Sequence, residues 1–471
     1  MNGETKLPTA GISLGAVLLF ITVHFCFSLD LKFAGGIIMA LPALVVTFLS
    51  PRKASVYLLS YIALCFAVSN RTIYIGEVYR IYPQEVLLVA LFAFLLMSRQ
   101  GAGEKPLVSW SGKCVVILTL IGIITAAKHE QPMDLALFYA KGVLLFVPVF
   151  YSVRRVVTNE RTLQIVCLAL VAAALVGSFM SIADYHGLDI AKVIFGETEK
   201  EVLSELRMEQ EFIFEHPFYR AGGTHAFPPF MASSVYLIFF LSAYLYHVSN
   251  NRRFHVFLRI AQLVFLIFIF YSGYRSIWIA LMLSLALYAF HRGAKTILGL
   301  ALAGLLVTSI LPQSAIDRFG QLYGESQDTS VKKRIFRTET AVQSIQRSPL
   351  LGRGWGASGL IHNDFLQFGA DAGIGTLITF LFFYGGVLYR LYWRYWYAMR
   401  RGHGRESHCM LIFFAALTGY AFIWISGSHF NVQETFITFW LVLALGAKVA
   451  FLSFEEKVGN QAEIRAGAPS A

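Results

Sequence analysis

Four side chains in this sequence are suited to handling phosphate and protons. They are Arg220 in Arg220-Ala221-Gly222-Gly223-Thr224-His225, Arg275 in Ser272-Gly273-Tyr274-Arg275-Ser276, Arg334 in Val331-Lys332-Lys333-Arg334-Ile335-Phe336-Arg337, and His362, which opens His362-Asn363-Asp364-Phe365-Leu366-Gln367-Phe368-Gly369. A guanidinium grips phosphate oxygens through two parallel charge-assisted hydrogen bonds. An imidazole accepts a proton near neutral pH, as a general base must. Arg275 is the most telling. It lies in a tight turn between two apolar runs, where nothing in the packing calls for a charge, and an arginine at a bilayer centre costs about 2.5–3.5 kcal/mol on insertion scales. The plain alternative is an arginine snorkelling to the headgroups. For His362 the plain alternative is a structural histidine at a helix start, but Gly369 and then Gly373-Ile374-Gly375-Thr376 imply close backbone approach just beyond it. Several arginines meeting at a membrane surface would suit a lipid-linked pyrophosphate.

The elements that must position these residues are membrane helices. Of 471 residues, 56% are hydrophobic and 14% charged, with mean hydropathy +0.61. Soluble domains carry about 25% charged residues, so a soluble or disordered chain is excluded. Apolar runs fall near 10–28, 33–50, 54–69, 84–98, 114–127, 135–151, 162–183, 229–248, 256–272, 275–291, 294–311, 374–397, 409–425 and 434–453. They are apolar all round rather than alternating, which predicts helices and not a barrel. The expected fold class is an all-α polytopic membrane protein with 12–14 transmembrane helices.

Alternate connections carry Arg52-Lys53, Arg99 with Lys105 and Lys113, Arg154-Arg155 with Arg161, Arg252-Arg253, Arg292 with Lys295, and Arg390 through Arg405, all net basic. The connections between them are near neutral or acidic. By the positive-inside rule the basic loops and both termini are cytoplasmic, which accounts for the net charge of +11 without nucleic acid. The first run has only Lys6 before it and no small-residue cleavage site, so it reads as a retained span. The expected organisation is N-terminal helices over 1–183, an outer loop over 184–228, central helices over 229–311, a large outer loop with the candidate motif over 312–373, C-terminal helices over 374–455 and a cytoplasmic tail over 456–471. Both long loops are expected to hold amphipathic helices. In the first, Glu197, Glu201, Glu205 and Glu209 share one helical face, a solvated face or a cation-binding edge. In the second, basic residues beside Ile335, Phe336, Val342 and Ile345 suit a helix lying on the membrane surface.

Cys26, Cys65, Cys114, Cys167 and Cys409 sit in or beside apolar runs without a CxxC pair, so they read as small hydrophobes rather than disulfide or zinc ligands. No Walker lysine motif and no GxGxxG after a strand is present, so no nucleotide site is signalled. No metal or cofactor is expected. Lys141, between Ala140 and Gly142, is the main intramembrane charge; a secondary transporter would make use of such a residue, but the internal repeat common in transporters is missing.

Three stretches resemble the O-antigen ligase and polymerase superfamily of bacterial membrane glycosyltransferases. Arg220, Gly223-Thr224, Pro228 and Ala232 are similar to its Arg-x-x-Gly-Thr…Asn-Pro-Asn…Ala segment. Ser272-Gly273-Tyr274-Arg275-Ser276 resembles its Thr/Ser-Gly-Ser-Arg turn. Arg334, Pro349-Leu350-Leu351-Gly352-x-Gly354, His362-Asn363, Gly373 and Thr376 resemble its most diagnostic block. Phe227, Pro229, His225 and Asp371 depart from the usual residues, which bears on the donor and acceptor. The resemblance implies a GT-C-like fold in the bacterial inner membrane. It also implies inverting transfer of an undecaprenyl-pyrophosphate-linked glycan to an acceptor hydroxyl, on lipid A–core or a growing polysaccharide, at the periplasmic face without metal or ATP. His362 would be the base, with Arg220 and Arg275 stabilising the departing diphosphate. Arg334 would hold donor phosphate or acceptor anions, with Asn363, Asp364 and Gly373 completing the substrate site. Asn363 or Asp364 would orient His362. A polymerase with the same donor chemistry is the alternative.

Overall fold

A computed structural model describes residues 49–68, 73–75, 79–97, 110–186, 188, 228–293, 295–296, 298–299, 329–359, 361, 363–427 and 435–450. The runs at 10–28 and nearly all of 33–50 and 294–311 lie outside them, as does the acidic face Glu197–Glu209. Every other apolar run coincides with a helix. In chain order these are α1 (Pro51–Leu64), α2 (Pro83–Met97), α3 (Trp110–Lys128), α4 (Met133–Leu144), α5 (Phe146–Val156), α6 (Glu160–Tyr185), α7 (Pro228–Val248), α8 (Arg252–Tyr271), α9 (Arg275–Arg292), α10 (Thr329–Arg347), α11 (Asp364–Arg400), α12 (Gly404–Ser426) and α13 (Thr435–Ala450). Among the described residues, seven helices are long and apolar enough to cross a membrane. The protein is an all-α polytopic membrane protein, as its composition requires.

Two local features depart from uniform helix. The run 135–151 is broken at Leu145 into α4 and α5, which together make one apolar stretch, Met133–Val156. Pro148 explains the break: it has no N–H to offer the Leu144 carbonyl, and its ring crowds that turn. Between α1 and α2, strands β1 (Ile73–Ile75) and β2 (Tyr79–Ile81) pair antiparallel, with Ile73 opposite Ile81 and Ile75 opposite Tyr79. The two strands are rich in β-branched and aromatic residues and flank a glycine, a hairpin pattern in miniature.

The centre of the bundle is aromatic. Phe146 and Phe150 of α5 pack on Phe383 of α11 at 5.3 and 5.6 Å. Phe380 stacks on Phe368 at 4.7 Å and meets Trp424 of α12 at 5.5 Å. Trp440 of α13 donates its indole N–H to the Gly142 carbonyl of α4 at 2.8 Å. Lipid tails are as apolar as these side chains, so shape and hydrogen bonding, rather than exclusion from water, hold such helices together. Edge and offset ring pairs contribute about 0.5–1.5 kcal/mol each beyond burial. Buried Cys65, Cys167 and Cys409 carry free thiols, in keeping with a packing role.

Candidate functional site

Arg275 is the first residue of α9. The turn before it is tightly held. The Ser272 hydroxyl donates to the Ile269 carbonyl at 2.7 Å, and the Trp278 indole N–H donates to the same carbonyl at 2.9 Å. The start of α9 is thereby fastened to the end of α8. A cation at a helix N-terminus sits at the positive end of the macrodipole, where it is disfavoured alone.

Asp364 is the first residue of α11 and is fully buried. Asn363 is the N-cap, its side-chain oxygen accepting the Leu366 N–H at 3.0 Å. That carboxamide oxygen therefore serves the helix start. The helix breaks at Gly373 (φ 85, ψ 162), which separates a short buried segment, residues 364–372, from the long apolar rod beyond it. A Cβ at Gly373 would lie 2.1 Å from the Leu350 carbonyl oxygen. Gly373 thus serves backbone contact between the helix and the Pro349–Leu351 stretch, where the Ile374 N–H also donates to the Pro349 carbonyl at 2.8 Å. Helix therefore begins at Asp364, inside the stretch expected to be loop.

α10 supplies the other wall. Ala341 is buried against Ile361 and Ala370, with Ile345 and Leu366 beside them, while Ile335, Phe336 and Val342 face outward. The amphipathic helix anticipated here exists and docks on the first part of α11. Arg334 lies on it; its side chain, like Arg220 and His362 altogether, falls outside the described residues.

The helix registers bring the two candidate ends together. The Ser284 hydroxyl of α9 donates to the Ala415 carbonyl of α12 at 2.8 Å, and the Ala280 carbonyl approaches Gly419. The helices are antiparallel, so one more turn brings Ser276, and with it Arg275, level with Ile423 and Trp424. Trp424 packs edge-on against Phe365, at the start of α11, at 5.7 Å. Tyr420, a turn deeper, has both Asp364 and Tyr274 as electrostatic neighbours. The Arg275 turn and the residues following His362 thus share the C-terminal end of α12. The basic residues gather at the opposite end. There Arg405 pairs with Glu160 at 3.0 Å and donates to the Val248 carbonyl, and Arg292 and Arg400 close α9 and α11.

Side chains to which sequence reasoning gave no place in the site frame it. Asp371, fully buried, accepts the Gly356 and Ser358 N–H groups at 3.1 Å each and the Gln367 amide at 2.6 Å. Trp355 inserts between Phe368 and α3, donating to the Thr119 carbonyl at 3.1 Å. Gly354 (φ 95) makes that insertion possible, since its absent Cβ would strike the Ala126 backbone at 2.3 Å. The signal for Gln367 and Asp371 was their four-residue separation, which puts two polar groups on one face among the apolar residues Phe368, Ala370 and Ala372. Elsewhere, Lys141 is not a lone intramembrane charge: its ammonium meets Glu85 at 2.8 Å, near the start of α2.

The fold defines a polytopic helical membrane protein in which the Arg275 turn and the start of α11 share the end of α12 away from its basic residues. Residues 260–381, from within α8 to within the long part of α11, match the O-antigen ligase family model. The match covers 122 of the 471 residues and supports membership of the O-antigen ligase family. No curated protein matches the chain.

Proposed function

We propose that the protein transfers a glycan from undecaprenyl pyrophosphate to an acceptor hydroxyl, that of lipid A–core, at the periplasmic face of the bacterial inner membrane. The imidazole of His362 removes the acceptor proton as its oxygen attacks the anomeric carbon. The bond from that carbon to the diphosphate oxygen breaks, and the electron pair leaves with the diphosphate. One displacement inverts the anomeric centre. Pyrophosphate needs no strong acid to depart, but its growing charge must be met, and Arg275 with Arg220 meets it. Arg334 on α10 holds donor phosphate or acceptor anions, and Asn363 and Asp364 fix the start of the helix that follows the base.

The supporting observation is the shared end of α12, where the Arg275 turn and the start of α11 converge opposite the basic residues. By the positive-inside rule that end faces the periplasm. The test is deletion of the gene followed by complementation. Under this assignment lipid A–core loses its polymer on deletion. Wild type restores it, and His362→Ala or Arg275→Ala, inserted at normal levels, does not. Collapse of polymer length with capping of lipid A–core retained would reassign the chain as the polymerase. Full complementation by either variant would remove that residue from the mechanism.

A further inference from the structure

At the end of the bundle opposite the Arg275 turn, four helices bring cationic side chains together. His247 lies in the last turn of α7 and Arg292 in the last turn of α9. His408 lies near the start of α12, and His255 and Arg259 stand four residues apart on one face of α8. The His247 and His408 rings stack at 5.1 Å with their planes 14° apart. Beside them, Tyr246 meets the His255 ring at 4.4 Å and the Arg259 guanidinium at 4.6 Å. The Tyr288 hydroxyl lies 3.4 Å from Nε2 of His247. Arg292 is an electrostatic neighbour of both stacked histidines and of Tyr288, and Arg259 is one of His247.

Nothing acidic from the protein balances these groups. Among the described residues the acids at this end are Glu160 and Glu406. Glu160 is taken by Arg405 at 3.0 Å, and neither acid is an electrostatic neighbour of His247 or His408. Among the described residues, Arg259 and Arg292 form no ion pair. Positive-inside bias accounts for arginines at this end, and it suffices for Arg252 and Arg253, exposed at the start of α8. It does not account for two guanidiniums drawn to one pair of parallel imidazoles, where like charges repel. A phosphate would relieve that repulsion, since a guanidinium grips its oxygens through two parallel charge-assisted bonds. The surroundings indicate which phosphate. Val256, Ile260 and Leu263 run exposed along α8 on either side of Arg259, and Phe290 is exposed beside Arg292. Cations for a headgroup with apolar side chains for acyl chains make a lipid the fitting occupant. We propose that Arg259, Arg292, His247 and His408 form a site for the phosphate of an anionic phospholipid in the cytoplasmic leaflet.

The test is binding. Purified protein in neutral detergent is titrated separately with phosphatidylglycerol, phosphatidylcholine and inorganic phosphate, and bound ligand is counted by native mass spectrometry. Wild type should bind phosphatidylglycerol saturably and about tenfold more tightly than phosphatidylcholine, whose own ammonium already balances its phosphate. Loss of one guanidinium removes charge-assisted bonds, so Arg292→Gln and Arg259→Gln should each weaken phosphatidylglycerol by about tenfold. Both arginines are exposed, so neither substitution opens a gap in the packed interior, and each variant reads the site independently of the other. Arg252→Gln, at the same end but outside the cluster, should bind as wild type does. Equal binding of the two lipids, or wild-type affinity in both Arg292→Gln and Arg259→Gln, would overturn the proposal. An equal loss in Arg252→Gln would overturn it too, because a diffuse basic surface would then suffice. Inorganic phosphate bound as tightly as phosphatidylglycerol would overturn the lipid as the source and leave a site for free phosphate.

Discussion

Replacing Gly373 by alanine gives the sharpest structural test of how this site is held. The native φ of 85° with ψ of 162° lies in a region reserved almost wholly for glycine, and a residue forced there costs about 1–3 kcal/mol. The new methyl would sit 2.1 Å from the Leu350 carbonyl oxygen and 2.8 Å from the Leu351 nitrogen. Both are backbone atoms, so no side chain can swing away, and overpacking of this kind costs about 1–3 kcal/mol. Relief requires Pro349–Leu351 to retreat by about 1 Å, which breaks the Ile374-to-Pro349 hydrogen bond, a net loss of about 0.5–1.5 kcal/mol. Together these reach about 3–7 kcal/mol. Unfolding entropy scales at about 2.1 cal/mol/K per residue, so each kcal/mol is worth about 1 °C in a chain of 471 residues. Purified Gly373→Ala should therefore melt about 3–7 °C lower in detergent. Transfer should fall about 100-fold as the loop leading to His362 moves. The control is Gly385→Ala on the same helix, where nothing stands within 4 Å of the new methyl; it should melt no lower than wild type. Wild-type melting and transfer in Gly373→Ala would refute the close contact between α11 and the loop.

The Glu85–Lys141 pair should behave as a buried tether between α2 and α4. Either Glu85→Gln or Lys141→Met alone should destabilise by about 3–5 kcal/mol by stranding a charge, whereas Glu85→Leu with Lys141→Met should recover most of it. Melting of the two singles and the double decides this, and a double as unstable as the worse single would contradict it. Trp355→Ala should cost about 3–5 kcal/mol, because the indole is buried between Phe368 and α3. A loss under about 1 kcal/mol, read from the same melts, would show that α3 closes over the gap.

The helices could be read from the sequence because a bilayer span demands a long apolar run, and the break at Leu145 is prefigured by Pro148. The Gly373 break had its signal in Gly373-Ile374-Gly375-Thr376, where glycine recurs at the end of a polar stretch. Three-residue strands are too short for alternation to stand out, so the pairing of Ile73–Ile75 with Tyr79–Ile81 leaves no clear signal in the sequence. The Glu85–Lys141 pair joins residues on separate helices, and no local pattern could have paired them. Asp371 was visible as a departure from a family pattern and by its four-residue spacing from Gln367. Its partners are backbone N–H groups of Gly356 and Ser358, which every residue but proline offers, so nothing in their side chains marks them. Arg275 was legible for the opposite reason: a charge stood where positive-inside bias and packing both argued against it.

The central claim is that an arginine at the start of α9 and the histidine before α11 act on one lipid-linked diphosphate. Its most direct test is transfer by the purified protein from undecaprenyl-pyrophosphate-linked glycan to lipid A–core, without ATP and in EDTA, comparing wild type with Arg275→Gln and His362→Ala. The account predicts glycan moved with inversion and undecaprenyl pyrophosphate released by wild type, and neither by the two variants. Transfer by wild type that survives undiminished in both variants would contradict it.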